Sequence, residues 1–223
     1  MNFLPANRLR IYRDFKAMDT HDFHGVVRYY EQYEDGIRAL DFEEYFDCTL
    51  AYTHALFETG NHGKHLVMCD HLLEIVIMQN IGTWGGEDVY NKLLFKKAAS
   101  LFRQHEYGLA EYVLRELLKI RPCDKPARRF LQKCLYRQKP TWLLQTRAAC
   151  VLLSLLAAGI IALELFVVKP FFAVWLKAVQ IAHNLFLVAA LTVFAVGETL
   201  HYWYCRGAAT SFATKMKRRK SVA

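Results

Sequence analysis

A pair of apolar runs in the second half of this chain limits what it can fold into more than any other feature. Ala148 to Leu163 holds no charged side chain, and Glu164 is the one interruption before Val168. Ala178 to Gly197 is again free of formal charge. Crossing a bilayer as a helix takes about 20 mostly apolar residues, and both runs reach that length. The 140 residues that precede them could not cover two helices that are apolar on every side. Between the runs lies only KPFFAVWLK, too short for a domain. The expectation is a tight transmembrane helical hairpin with spans at 141–168 and 178–204. The outer loop is then 169–177, with Pro170 in the turn and Trp175 at an interface.

Charge orients the hairpin. The chain carries a net +8, but residues 1–120 are mildly acidic, with 13 Lys/Arg against 18 Asp/Glu. The basic residues collect in two collars, 121–147 and 205–223, which together hold 14 Lys and Arg. The loop between the runs offers only Lys169 and Lys177. By the positive-inside rule both termini face the cytoplasm. The collars are also expected to meet anionic lipid headgroups, at about 1 kcal/mol per basic residue near the surface. The tail KMKRRK has no interleaved aromatics, so nucleic acid is not expected as a partner. Six cysteines show no CxxC or paired spacing, which favours a reducing compartment over a disulfide framework. The first 15 residues contain no apolar run of signal-peptide length. A bacterial inner membrane is the favoured location.

GNHGKHLVMCDH, Gly60 to His71, places His62, His65 and Cys69 three and four residues apart on one helical face. A zinc site would need a fourth ligand, and His71 points away from that face. Comparison along the chain gives a blander reading. HDFHGVVRYYEQY (from His21), GNHGKHLVMCDHL (from Gly60) and HEYGLAEYVLREL (from His105) align. In that alignment Val26, His65 and Ala110 are equivalent, as are Tyr30, Cys69 and Leu114, and Tyr33, Leu72 and Leu117. The histidines and the cysteine then read as helix-packing residues, and no metal or other cofactor is expected.

These stretches resemble the tetratricopeptide repeat, a pair of antiparallel helices. The resemblance is most specific in the third unit. There Leu94, Ala98 and Leu101 match the first helix, Tyr107, Ala110, Leu114 and Leu117 the second, and Pro122 the terminal proline. The second unit matches at Leu56, Gly60 and Leu72, with Thr53 at a small-residue position. The first matches only in its second helix. Its first helix, NRLRIYRDFKAM, sets Arg and Asp at expected core positions and should be irregular. The spacing between units exceeds the family's, partly through the glycine-rich insertion NIGTWGGEDVY. That insertion is expected to connect two helices, or else to offer Trp84 as a contact for a partner. The resemblance implies an all-α fold with repeats over 1–122, in units near 7–40, 41–79 and 91–122. A capping or linker helix follows at 123–140, with an apolar edge of Phe130, Leu131 and Cys134.

In this family the first helices of successive units line a concave surface that binds peptides or helices. Carried over by position, the groove residues are Leu50, His54, Phe57, Phe95, Ala99 and Phe102, with Ile11, Phe15 and Met18 extending them. The lining is apolar and aromatic. It suits an amphipathic helix rather than a partner's C-terminal carboxylate. Self-filling of the groove is the competing arrangement.

The second apolar run is not clean. Lys177, Gln180 and Asn184 recur at helical spacing, with His183 beside them, and Glu198 and His201 lie one turn apart near the cytoplasmic end. Polar residues at such depth face other helices or water. Lys177 is expected to snorkel outward, within reach of a pairing with Glu164 across the hairpin. Ser154, Ala158 and Ala162 permit close helix contact, within the hairpin or between copies as a homo-oligomer. No catalytic signature appears: there is no GxSxG, no HExxH, and TWGGED lacks the Lys-Ser/Thr of a phosphate-binding loop. The expected role is therefore not enzymatic. It is a membrane-anchored scaffold or adaptor whose cytoplasmic repeats bind a protein partner. The alternative is an oligomeric membrane effector or channel whose polar stripe lines a lumen.

Overall fold

A computed structural model describes residues 5–19, 21–169 and 175–222, without the side chains of 5–9, 167, 221 and 222. Pro170 lies outside the described residues. The fold is all-α, with no strand among the described residues beyond one isolated β-bridge. The chain divides into two compact units, Met1–Ala127 and Arg128–Ala223.

The first unit contains α1 (Pro5–Lys16), α2 (Phe23–Gln32), α3 (Glu34–Arg38), α4 (Phe42–Glu58), α5 (His62–Met78), α6 (Val89–Arg103) and α7 (Tyr107–Ile120). Side chains cap the starts of α2, α5 and α6. Asp22 accepts from the Gly25 amide at 2.9 Å, and Asp88 from the Asn91 amide at 3.1 Å. Such caps satisfy amides that the first turn leaves orphaned.

Three helix ends share one geometry. Gly60, Asn80 and His105 follow α4, α5 and α6 by two residues, and each has a positive φ, of 79°, 52° and 65°. After each, the next amide reaches back five residues: Asn61 to the Leu56 carbonyl, Ile81 to Val76 and Glu106 to Leu101. This is the Schellman closure, which favours glycine and then asparagine. At His105 the same closure places a β-carbon in the left-handed region.

The core follows helical periodicity. Leu72, Leu73 and Val76 of α5, Leu93, Leu94, Ala98 and Leu101 of α6, and Ala110, Leu114 and Leu117 of α7 are all buried. Each helix from α4 to α7 packs on its neighbours in the chain. The first helix differs from expectation. α1 is a regular helix that buries Ile11 and Phe15 and turns Arg10, Arg13 and Asp14 outward, with Arg10 Nε 3.5 Å from Asp14. It packs on α3 and α4, so Ile11 is a core residue, and the concavity it borders is that beside Glu31 and Gly36.

α8 (Lys125–Arg137) runs across the division between the units, and its Leu131 and Cys134 are buried. The second unit continues with α9 (Thr141–Leu163), a π-helical turn at Glu164–Val168, and α10 (Leu176–Val222). α9 and α10 pack against each other. At Gly197 the approach is close: a β-carbon there would sit 3.0 Å from Thr146 Oγ1. Ala157 and Ala190 are likewise buried. The basic segment after Cys205 is not a separate tail, because α10 continues through it for 47 residues in all. Two helical stretches, Thr141–Phe166 and Leu176–Lys220, are long and apolar enough to cross a membrane.

Candidate functional site

The geometry of the first unit puts a row of concavities along α4 and α6. One is lined by Phe15, Met18, Phe23, Val26, Ala51 and His54. The next, of about 410 Å3 counting its open mouth, lies between Leu50, Thr53 and His54 of α4 and Val89, Lys92, Leu93 and Lys96 of α6. A third runs on past Lys92, Phe95 and Lys96 to Arg121 and Pro126. Adjoining concavities share residues: His54 belongs to the first two, and Lys92 and Lys96 to the last two. Leu50, His54, Phe57, Phe95, Ala99 and Phe102 are all half-buried, whereas Leu56, Ala98 and Leu101 beside them are buried.

The six are not equivalent. Leu50 and His54 line the central cleft, and Phe95 the outer one. Phe57 is partly spent inside the unit, its ring 5.2 Å from that of His65. Phe102 likewise lies 5.1 Å from the Tyr107 ring.

The floor carries charge that the apolar reading of the sequence omitted. The Lys96 ammonium lies 5.1 Å over the Phe57 ring and 3.9 Å from the Glu58 carboxylate, yet it is buried without a hydrogen-bond partner among the described residues. Burial pulls its pKa down. Burial and the nearby Lys96 charge do the same to His54. Lys92 is paired with Glu87. The signal in the sequence was the four-residue spacing of Lys92 and Lys96, which puts both on the face that carries Phe95 and Ala99.

The glycine-rich loop connects α5 and α6, and Trp84 packs within the unit. Gly85 and Gly86, with φ of 58° and 81°, form a two-residue turn closed by mutual backbone hydrogen bonds between Trp84 and Glu87 at 3.0 and 3.1 Å. Positive φ at both central positions is the turn type that Gly-Gly favours. The turn sets the Trp84 ring edge-on to Phe46 at 4.8 Å. Trp84 is therefore half-buried against the core while its other side walls the central cleft.

Only the face of the histidine-rich stretch that carries His65 and Cys69 is interior. Ser100 Oγ lies 2.8 Å from His65 Nδ1 and 3.2 Å from His62 Nδ1, and Cys69 Sγ lies 3.3 Å from His65 Nε2. His65, Cys69 and Ser100 are fully buried. Burial holds the His65 pKa down at about 4 and lifts the Cys69 thiol to about 12, so both are neutral at pH 7. His71 instead lies 2.8 Å from the Tyr45 hydroxyl.

In the second unit the polar stripe is divided. Gln180 Nε2 donates to Glu164 Oε1 at 3.2 Å, and His183 Nδ1 lies 3.2 Å from Glu164 Oε2. Glu164 is buried there, at the start of the π-helical turn. Lys177 and Asn184 are exposed on another face, so Glu164 pairs with His183 and Gln180 rather than with Lys177. A second polar clasp lies nearer the chain ends of the hairpin. Arg147 donates to Glu198 Oε1 through Nε at 2.9 Å and Nη2 at 2.5 Å, and the Tyr136 hydroxyl donates to Glu198 Oε2 at 3.2 Å. His201, fully buried, lies 3.2 Å from the Tyr136 carbonyl and stacks on its ring at 5.1 Å. The sequence marked Glu198 and His201 but not their partners, because 51 and 65 residues separate them.

No family model, no curated protein and no solved structure matches this chain.

Proposed function

We infer that this chain is a membrane-anchored adaptor. Its tetratricopeptide-like first unit captures a protein partner in the cytoplasm, and the α9–α10 hairpin crosses the membrane, a bacterial inner membrane by preference, with both termini cytoplasmic. The observation that carries the reading is the row of three concavities sharing His54, Lys92 and Lys96 along α4 and α6. Its lining, apolar at Leu50, Leu93 and Phe95 and charged at Glu87, Lys92 and Lys96, suits the two-sided chemistry of an amphipathic helix. The repeat resemblance is supported by the like closures after α4 and α6, where Gly60 and His105 occupy equivalent positions in the sequence alignment.

The anchor is supported by exposure. In the most apolar stretches of α9 and α10 only 11% and 6% of residues are buried, with mean hydropathies of 2.4 and 1.9. A core helix of a soluble protein would bury most of such a stretch. The lumen of the alternative, channel-like reading would need the polar stripe to face outward together. Gln180 and His183 are instead taken up by Glu164, which favours the adaptor.

The test is site-specific photo-crosslinking of the full chain in cells. A benzoylphenylalanine at Ala99, beside the concavities, is expected to capture one discrete partner. The same group at Tyr112, which is 62% exposed on α7, should capture none. Equal patterns from the two positions would remove the groove from the proposal.

A further inference from the structure

The division of the polar stripe leaves one group that the hairpin does not serve. The line of α10 residues turned toward α9 runs through His183, Ala190 and Gly197, one heptad apart. Asn184, about 100° further round, looks away from it. Its carboxamide is exposed and has no hydrogen-bond partner among the described residues. Its neighbours on that face are apolar and exposed: Ile181 at 69%, Val188 at 57% and Leu191 at 69%. Asn184 stands seven residues, about 10 Å, beyond Lys177 along the helix axis. On the anchoring reading, that depth is inside the hydrocarbon, where no water completes an amide's hydrogen bonds. Polar side chains at such depth are almost always turned toward another helix. Glu164, the nearest strong acceptor, is already occupied by Gln180 and His183.

We propose that the Asn184 face of α10 is the contact with a second copy of this chain, the two carboxamides bonding to each other across a twofold axis. A carboxamide carries both a donor and an acceptor. Two copies related by a twofold therefore satisfy each other reciprocally, and no second chemistry is required. The contact is isologous and closes at a dimer. Lys177, on the same face, brings like charges together one heptad nearer the loop. The helices therefore splay there and cross between Asn184 and Leu191.

The proposal rests on the membrane reading, and the experiment separates the two. Full-length chain is used with Cys123 and Cys150 replaced by Ser. Leu191→Cys, oxidised in isolated membranes, is expected to give a disulfide-linked dimer. Leu155→Cys, 65% exposed on α9, is expected to give none. Asn184→Leu should weaken the dimerisation constant of the detergent-solubilised chain by up to about tenfold, the upper scale of an interhelical amide contact in lipid. Asn184→Gln should retain it. A Leu191→Cys chain that stays monomeric, or links to a different protein, overturns the proposal, as does an undiminished dimer in Asn184→Leu. Alkaline carbonate extraction reports on the anchor alone. Release from membranes defeats that reading, whereas a retained chain without the crosslink defeats only the dimer.

Discussion

The two units handle polarity in opposite ways. In the first, apolar side chains converge: Phe46, Leu56, Leu72 and Leu114 are fully buried and most charges are outside. In the second, Leu155, Ile181 and Leu191 are each at least 65% exposed, while the carboxylate of Glu164 is hidden between helices. The first unit obeys the rule that water sets, with a stripe of apolar residues per helix. The second is arranged as though its surroundings were the apolar phase. Along the apolar stretches, burial falls on Glu164 and on small residues such as Ala157, Ala190 and Gly197, while Leu131 and Leu143 are buried before them in the chain.

The largest expected effect tests that contrast directly. Phe46→Ala removes a fully buried ring and should cost about 3–5 kcal/mol of stability in the first unit. Leu155→Ala, by contrast, should leave the unfolding of the detergent-solubilised full chain nearly unchanged. The measurement is denaturant unfolding, followed at Trp84 with the other tryptophans replaced by Phe, and by helicity for the hairpin. A Leu155→Ala loss as large as that of Phe46→Ala would make α9 an ordinary core helix.

The next effect comes from His65, whose folded pKa of about 4 lies below its usual 6.5. Between those values the unfolded chain binds a proton that the folded chain refuses. The stabilising difference is therefore complete above pH 6.5 and shrinks as pH falls toward 4, by roughly 3 kcal/mol in total. His65→Gln should flatten this slope in unfolding curves taken at pH 7, 5.5 and 4.5. A slope that survives the substitution would assign the titration elsewhere.

Smaller is the effect of Arg147→Met, which leaves Glu198 half-buried with only Tyr136 as a partner. About 1–3 kcal/mol of hairpin stability should be lost. Most of it should return in Arg147→Met/Glu198→Leu, because replacing both members of a pair avoids stranding a charge. Failure of that rescue would mean that Arg147 packs rather than pairs. Smallest is Lys64→Ala, which breaks an exposed pair with Glu31 at 2.6 Å and should cost under about 1 kcal/mol.

What the sequence revealed and what it concealed follow from range. The apolar runs, the helical periods around Leu94 and Leu114, and the packing role of His65 and Cys69 are local patterns, read from neighbours a few residues apart. The regular α1 was concealed because its Arg and Asp were assigned to buried positions. Ile11 and Phe15, four apart, in fact supply the buried face. The Trp84 turn was written in its two glycines, but its packing on Phe46 was not. Likewise Lys96 shows as a helical charge, while its burial depends on α4. The Glu164–His183 and Arg147–Glu198 pairs depend on the register of two helices, which no single-helix pattern specifies.

The unbroken run of α10 has a mechanical consequence. Forty-seven residues at 1.5 Å each make a rod of about 70 Å. Lys215 lies 11 residues beyond Tyr204 and so stands about 16 Å further along that rod. This exceeds the roughly 8 Å over which charge is felt at physiological salt. On the anchoring reading, with the Tyr202–Tyr204 aromatics at the interface, Arg206 alone of the basic residues of α10 beyond Cys205 stands within that distance of lipid headgroups. On that reading the cluster from Lys215 to Lys220 stands off the bilayer like the head of a piston. A slide of the hairpin by one helical turn would carry that cluster about 5.4 Å with no joint to absorb the stroke.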